Sequence, residues 1–338
     1  MYGHCYGCKI CNGRACGSTI PGPGAKGVGD VAIRNYDMWK QVRLNLNVVY
    51  EAGPVSTEVN IFGKDMAAPI FAGPVGAVQL HYGDKFTEFE YNDLLIKSCI
   101  EAGIIGFTGD GTDEQVLRAA AGSIAAAGGQ GIPTIKPWHL GTVGAKMALV
   151  KGAGAFAVAM DVDAAGLPFL KGKNPPAGPK SQEELIEIAE MADRPFIVKG
   201  IMTPRAAIKA VKAGAAAIVV SNHGGRVLDQ CPSTAEVLLE IAEAIKGSPC
   251  LVFVDGGIRD GVDIFKAIAM GADGVLMARP FVNAIYQQGY EGVLSLVRRL
   301  KSELEDTMLM CGAKTIAEIS KDMVRIPKLW QHYDAEGN

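Results

Sequence analysis

Neither sign of charge dominates this 338-residue chain. Its 33 lysines and arginines stand against 36 aspartates and glutamates, for a formal net charge of −3. A surface without a basic excess argues against nucleic acid or an anionic membrane as partner. No apolar run reaches the ~18 uncharged residues of a membrane-spanning helix, so no membrane span is expected. No basic stretch followed by an apolar core opens the chain, so no signal peptide is expected and the cytoplasm is the default compartment. No G-x-G-x-x-G follows the first candidate strand, which argues against a doubly wound dinucleotide-binding sheet. What is present is a 49% hydrophobic share with 42 glycines and 17 prolines, the composition of a globular protein with many tight turns and a sizeable core.

Short apolar runs recur at 70–73, 104–108, 132–136, 156–160, 196–199, 216–220, 251–254 and 274–277. Several are preceded by one closing phrase: Glu101-Ala102-Gly103, Gly152-Ala153-Gly154-Ala155, Lys212-Ala213-Gly214-Ala215 and Met270-Gly271-Ala272-Asp273. Glycine there ends a helix in a left-handed cap, and the next strand begins. Eight strands alternating with helices predict an α/β fold of the (β/α)8 TIM-barrel type. A short Cys- and Gly-rich N-terminal extension at 1–30 precedes the barrel at 31–338. The polar, proline-bearing segment 171–181 reads as a loop on the catalytic face. The stripe Val293, Leu296, Val297, Leu300, Leu304 and Met308 predicts an amphipathic helix packed on the barrel.

Function is expected at the strand ends. Ser221-Asn222-His223-Gly224-Gly225-Arg226 follows the sixth run. His takes a proton near neutral pH, and Arg holds a carboxylate through two parallel hydrogen bonds. The glycines let the backbone approach a flat ligand. A surface turn carrying one His and one Arg is the plain alternative. Lys199 ends the fifth run and is costly to bury unless it meets an anion or an electron-rich ring. Asp255-Gly256-Gly257-Ile258-Arg259 and Ala278-Arg279-Pro280 follow the seventh and eighth runs, where barrels often hold a phosphate. Asp161 and Asp163 end the fourth.

Taken together, these motifs resemble the FMN-dependent α-hydroxy acid oxidases and dehydrogenases of the glycolate oxidase and lactate oxidase type. The resemblance runs from about Met66 to Ile319 and includes Val198-Lys199-Gly200 and Thr307-Met308-Leu309-Met310-Cys311-Gly312. It implies a barrel with FMN at its C-terminal mouth. Under it, His223 is the catalytic base, Arg226 the substrate-carboxylate clamp, and Asp163 the carboxylate that stabilises the protonated base. Lys199 stabilises negative charge on the reduced flavin, and Ser221 lies near the ring. Pro74, Val75, Gly76 and Thr108 lie against the flavin. Gly256, Gly257, Arg259, Ala278 and Arg279 border the phosphate, and Asp255 meets the ribityl hydroxyls.

The departures narrow this reading. The family places two tyrosines over the substrate, and no tyrosine stands in the corresponding places here. Trp138 would occupy the second position, lining the substrate, and Lys136 replaces a glutamine that contacts the flavin. Asp161 falls where a threonine is usual, and the stretch from Asp163 to Pro168 lacks a second substrate arginine. The loop at 171–181 is also shorter. Half of the family's substrate pocket is therefore missing from the sequence.

Cys5, Cys8, Cys11 and Cys16 crowd the N-terminus, at spacings close to but distinct from ferredoxin ligands. Three readings stand open: an iron–sulfur cluster, a four-thiolate zinc, or thiols that bind no metal. His4 beside them reads as incidental. Cys99, Cys250 and Cys311 read as core; Cys231 is near the motif only in sequence.

The expectation is an FMN-dependent enzyme that oxidises a 2-hydroxy acid to the 2-oxo acid. A cluster in the head would favour dehydrogenase over oxidase, with an electron acceptor the sequence does not name. Two alternatives are a non-redox FMN isomerase of the type 2 isopentenyl diphosphate isomerase kind, and a non-catalytic flavin or iron–sulfur protein that senses redox state or binds a partner. By analogy with the family, the chain is expected to form a homo-oligomer, a tetramer.

Overall fold

All eight apolar runs form strands, because a strand covered on both faces needs an unbroken apolar run rather than an alternating one. They are β1 (Ile70–Ala72), β2 (Ile105–Thr108), β3 (Ile132–Ile135), β4 (Val158–Asp161), β5 (Phe196–Ile201), β6 (Ala217–Val220), β7 (Leu251–Val254) and β8 (Gly274–Met277). The computed structural model describes residues 5, 7–170, 173 and 176–330. The strands pair in parallel and in chain order, and β8 closes the barrel on β1 through Leu276 opposite Phe71. Gly103, Gly154, Gly214 and Gly271 take the left-handed φ values that the closing phrases require.

The barrel interior is a packed core. Phe71 lies edge-on to Phe107 at 5.5 Å and tilted against Phe253 at 4.9 Å. A hairpin of Val59–Ile61 and Lys64–Met66 brings Phe62 onto Phe253. Helices start on reciprocal side-chain caps at Thr87/Glu90, Ser181/Glu184 and Ser233/Glu236. The helix Arg279–Cys311 bends at Gly289, and beyond the bend Val293, Val297, Leu300, Leu304 and Met308 are buried. That stripe packs on the molecule as the sequence predicts. Among the described residues, no helix is long and apolar enough to cross a membrane.

The N-terminal segment, rather than standing apart, runs as a strap over the strands' C-terminal ends. Arg259 Nε donates to the Cys11 carbonyl (2.7 Å), and Lys26 N donates to that of Gly225 (2.8 Å). The Lys26 ammonium donates to the carbonyls of Gly166 and Val227. The helix Asp30–Trp39 continues the strap, with Trp39 Nε1 donating to the Gly256 carbonyl (2.8 Å) and Asn35 pairing with Asn222 (2.7 Å). In the 171–181 loop, Gly178 N donates to the Pro137 carbonyl at the end of β3 (3.0 Å). Lys171, Gly172, Asn174 and Pro175 of that loop, and His4, lie outside the described residues.

Candidate active site

The turn after β6 is built on three consecutive left-handed residues, His223 (φ 57), Gly224 (φ 65) and Gly225 (φ 85). Glycine adopts this conformation freely; His does not, and such residues concentrate at functional sites. A Cβ on Gly225 would also lie 2.8 Å from the Ala32 amide nitrogen, so only glycine lets the helix behind the strap pack here. The His223 amide donates to Ser221 Oγ (3.1 Å), tightening the turn.

His223 stands between two carboxylates. Its Nδ1 lies 3.0 Å from Asp163 Oδ1, and its Nε2 lies 4.0 Å from Asp161 Oδ2. Asp163 reaches it because β5 bulges at Gly200, where a Cβ would sit 2.5 Å from that of Asp163. Burial, with the ammoniums of Lys199 and Lys136, pushes the His223 pKa well below 6.5. Burial and the two cations thus favour the neutral imidazole. Asp163 stays in place to pair with the imidazolium that forms when Nε2 takes a proton. With the Nδ1 proton directed at Asp163, the Nε2 lone pair is the free basic position. Burial raises the Asp163 pKa, with Lys199 and Lys136 opposing it.

Lys199 projects from β5 into the same centre. Its ammonium donates to Ser221 Oγ (2.8 Å) and lies 3.3 Å from Asp255 Oδ2 and 3.9 Å from Asp163 Oδ2. Burial alone would favour its neutral form, but Asp163, Asp255 and Asp161 raise its pKa above 10.5. Register places Asp161 opposite Lys199 on neighbouring strands. Lys136, just past β3, pairs with Asp161 Oδ2 at 2.5 Å.

Arg226 leaves the turn towards the strap. Its Nη1 donates to the carbonyls of Gly22 (2.5 Å) and Gly24 (3.0 Å), and its Nη2 lies 3.4 Å from His81 Nδ1. That ring nitrogen accepts from Gly22 N (3.1 Å). Burial, then Arg226 and Lys136, lower the His81 pKa to about 3.

These groups face one open cavity at the strands' C-terminal ends. Of the residues expected from sequence, Pro74, Val75, Gly76, Lys136, Lys199, His223, Arg226, Asp255, Gly256, Gly257, Arg259, Ala278 and Arg279 line it. Asp163 and Ser221 stand behind that lining, in contact with His223 and Lys199. The Thr108 hydroxyl is buried without a partner and also lies off the lining. His81, Tyr82 and Asp110 line it too, and sequence reasoning missed them. Tyr82 supplies a phenol from a short helix after β1 rather than from the places the family uses. Asp110 alone carried a sequence signal, its position two residues past the end of β2.

The donor set fits FMN. Arg259 and Arg279 share one end of the cavity, and Arg279 Nη1 is buried without a hydrogen-bond partner, as a guanidinium awaiting an anion would be. Asp255 Oδ1 is likewise unpartnered, an acceptor available to hydroxyls.

One expectation is corrected. Trp138 does not line the cavity: its indole N–H donates to Asp110 Oδ2 (2.7 Å), and Lys146 lies over its ring while pairing with Asp110 Oδ1. Burial raises the Cys5 pKa, and the head cysteines Cys11, Cys16 and Cys8 lie near enough to raise it further, but without the spacing of a bound metal. A four-thiolate zinc holds its sulfurs about 4 Å apart. Among the described residues, the only three candidate ligand atoms within 4.8 Å of one another belong to Asp161, Asp163 and His223. The thiols are dispersed among other partners: Cys5 on Asn283 Oδ1, Cys11 against Arg259, and Cys16 on the Gly13 carbonyl.

Comparison with known proteins agrees with the geometry. The family described as "FMN-dependent dehydrogenase" matches residues 23–169 and 177–326. A peroxisomal (S)-2-hydroxyacid oxidase of Arabidopsis thaliana is 42% identical over 145 residues, which is 43% of this chain and 40% of the relative. An L-lactate dehydrogenase of Serratia proteamaculans is 49% identical over 142 residues, 42% of this chain and 37% of the relative. The matched segment thus spans about two fifths of these curated relatives. Among solved structures, a mandelate oxidase variant carrying an FMN adduct superposes with a TM-score of 0.77 at 27% identity, covering 90% of this chain and 93% of that one.

Proposed function

This chain belongs to the FMN-dependent dehydrogenase family, and from that premise we propose that it oxidises a 2-hydroxy acid to the 2-oxo acid at the barrel mouth. The observation that carries the reading is one cavity holding a histidine oriented by Asp163 beside a guanidinium and a buried ammonium. Bound FMN supplies the acceptor for the substrate's two electrons. Arg226 presents Nε and Nη2 to the carboxylate while Nη1 stays on the strap carbonyls. His223 Nε2 takes one of the two protons the substrate loses, and Asp163 at Nδ1 fixes the tautomer and offsets the new positive charge. Lys199, charged and held by Ser221 and Asp255, balances negative charge that develops beside it. Arg259 and Arg279 anchor the cofactor's phosphate.

The test is anaerobic mixing of the FMN-loaded protein with a panel of 2-hydroxy acids. Loss of oxidised-flavin absorbance with formation of the 2-oxo product is expected. A panel in which no acid reduces the bound flavin would remove this function. Re-oxidation by oxygen or by an artificial acceptor then separates oxidase from dehydrogenase.

Self-assembly is part of the same proposal. Leu46, Val48 and Val49 are exposed on a segment tied to exposed Leu309 and Met310 by Asn47 N to the Met310 carbonyl and Tyr50 OH to the Leu309 carbonyl. Clustered exposed apolar side chains favour covering by another copy, and light scattering on the purified protein measures it.

A further inference from the structure

The cysteines of the strap take no part in the proposed chemistry, yet one of them sits at the phosphate end of the cavity. Arg259 holds Cys11 twice: Nε donates to its carbonyl (2.7 Å) and Nη2 to its sulfur (3.6 Å), while Nη1 donates to the Ile258 carbonyl (2.6 Å). Arg279 lines the same cavity, and of the ionisable groups that act on it Cys11 acts most strongly. Arg279 Nη1 is buried without a hydrogen-bond partner, which points to an anionic ligand. Cys11 is a free thiol and only half-buried, so a small reagent can reach it.

Guanidiniums beside a sulfur favour the thiolate, which is the reactive form. Burial alone would raise the Cys11 pKa, but Arg259 and then Arg279 outweigh it and hold it below the ordinary thiol value. Cys5 differs: its thiol donates to Asn283 Oδ1 and its pKa is raised, chiefly by burial. A thiolate and a phosphate are both anions, and here they face one pair of arginines. Each weakens the pair's hold on the other, by mutual repulsion and by competition for the same cations.

We propose that Cys11 is a thiol modification site coupled to the cofactor's phosphate: it reacts with peroxides and soft electrophiles while Arg259 and Arg279 are free of phosphate, and it is quenched when the phosphate takes them. The inference rests on the reading that FMN places its phosphate at these two arginines. With hydrogen peroxide, the Cys11 thiolate gives an electron pair to one oxygen. The S–O bond forms as the O–O bond breaks, hydroxide leaves, and a sulfenic acid results. With iodoacetamide, the S–C bond forms as the C–I bond breaks, and iodide leaves.

The full chain tests it in three forms: apoprotein, loaded with FMN, and loaded with riboflavin, which lacks the phosphate. Labelling of Cys11 by iodoacetamide is followed by peptide mass spectrometry, with exposed Cys8 of the same strap as internal reference. FMN is expected to slow Cys11 labelling about tenfold, the scale of one charged hydrogen bond. Riboflavin should leave it near the apoprotein rate. Sulfenic acid formed by hydrogen peroxide and trapped with dimedone should follow the same order. Coupling between two sites is reciprocal, so Cys11→Ser should bind FMN more tightly by a similar factor and riboflavin no differently. The variant keeps the backbone carbonyl that Arg259 Nε uses, and circular dichroism establishes that it is folded. If FMN binds the parent more tightly than riboflavin yet changes neither the Cys11 rate nor, in Cys11→Ser, its own affinity, the coupling is overturned. Equal slowing of Cys8 and Cys11 would mean that the strap closes over both, and overturns it as well. So does a stoichiometric metal in the purified protein that keeps both thiols unreactive until it is chelated. Equal binding of FMN and riboflavin by the parent removes the phosphate reading itself, and the proposal with it.

Discussion

The guanidinium of Arg226 donates through Nη1 to the carbonyl of Gly22 at 2.5 Å, so the proposed carboxylate clamp is also an anchor of the N-terminal strap. Gly22 returns the connection through its own N–H to His81 Nδ1, which lies 3.4 Å from Nη2 of the same arginine. Clamp, strap and the helix after β1 form one hydrogen-bonded circuit. Pro23 of the strap lines the cavity beside this circuit, as does Tyr82.

Arg226→Lys therefore does two things at once. A single ammonium cannot serve two strap carbonyls and a bidentate carboxylate together. We expect kcat/KM to fall about a hundredfold or more, the scale of one or two charged hydrogen bonds. The amides of Gly22 and Lys26 should exchange hydrogen faster, as read by mass spectrometry. Exchange as slow as in the parent would dissolve the link between clamp and strap.

His223→Gln keeps a polar side chain at the site but removes the base. General-base loss is worth about 10²–10⁴ in rate, so flavin reduction in single-turnover mixing should slow by that range. Binding of FMN should change little, because the phosphate end of the cavity is formed by other residues. Asp163→Asn should slow the same step, since an amide at 3.0 Å can present N–H to Nδ1 and reverse the tautomer. Full turnover in either variant would take the proton-acceptor role away from His223.

The barrel was legible because each strand is a short apolar run ended by a turn signal, and that pattern is local. The acid–base centre was legible for a similar reason: His223, Arg226, Lys199 and Asp255 all sit at strand ends, where chain order fixes their neighbourhood. Trp138 misled because it, too, lies just past a strand end. Its indole turns to Asp110, a partner 28 residues away in sequence, and nothing local announces that bond. The cysteines left three readings open because spacing permits a metal site without requiring one. In the fold, Arg259 donates to the Cys11 sulfur and Asn283 accepts from the Cys5 thiol, each from more than two hundred residues away. His81 and Tyr82 were missed because their role comes from the strap lying over them, a contact that no periodicity encodes.

Arg279→Met isolates the phosphate end. Its Nη1 is buried and unpartnered, so the guanidinium gains most when an anion arrives. Methionine keeps much of the stem's volume without the charge. We expect FMN to bind about ten- to a hundredfold more weakly to the apoprotein. Riboflavin, which lacks the phosphate, should bind the parent and the variant alike. Equal losses for both ligands would mean that Arg279 supports the cavity's shape rather than a phosphate.

The two buried histidines give stability a pH dependence whose sign can be worked out. His81 falls from 6.5 when unfolded to about 3 when folded, chiefly by burial, and His223 also lies well below 6.5. Between the folded and unfolded values the unfolded chain binds the extra proton, so acidification favours unfolding. The contribution is complete above about pH 6.5 and is lost as pH falls towards 3. Each histidine adds a slope of about 1.4 kcal/mol per pH unit inside its window. Buried carboxyls work the other way: Asp163, Glu88 and Asp263 have raised pKa values, so protonating them favours the folded state as pH drops. The total profile is thus a contest, and the informative quantity is the difference between parent and His81→Gln. Glutamine can still accept from Gly22 N but does not titrate. In denaturant unfolding, the variant should track the parent at neutral pH and gain on it steadily below about pH 6.5, by roughly one proton's slope. Parallel profiles across that range would mean that His81 keeps an ordinary pKa in the folded protein and is not held neutral against Arg226.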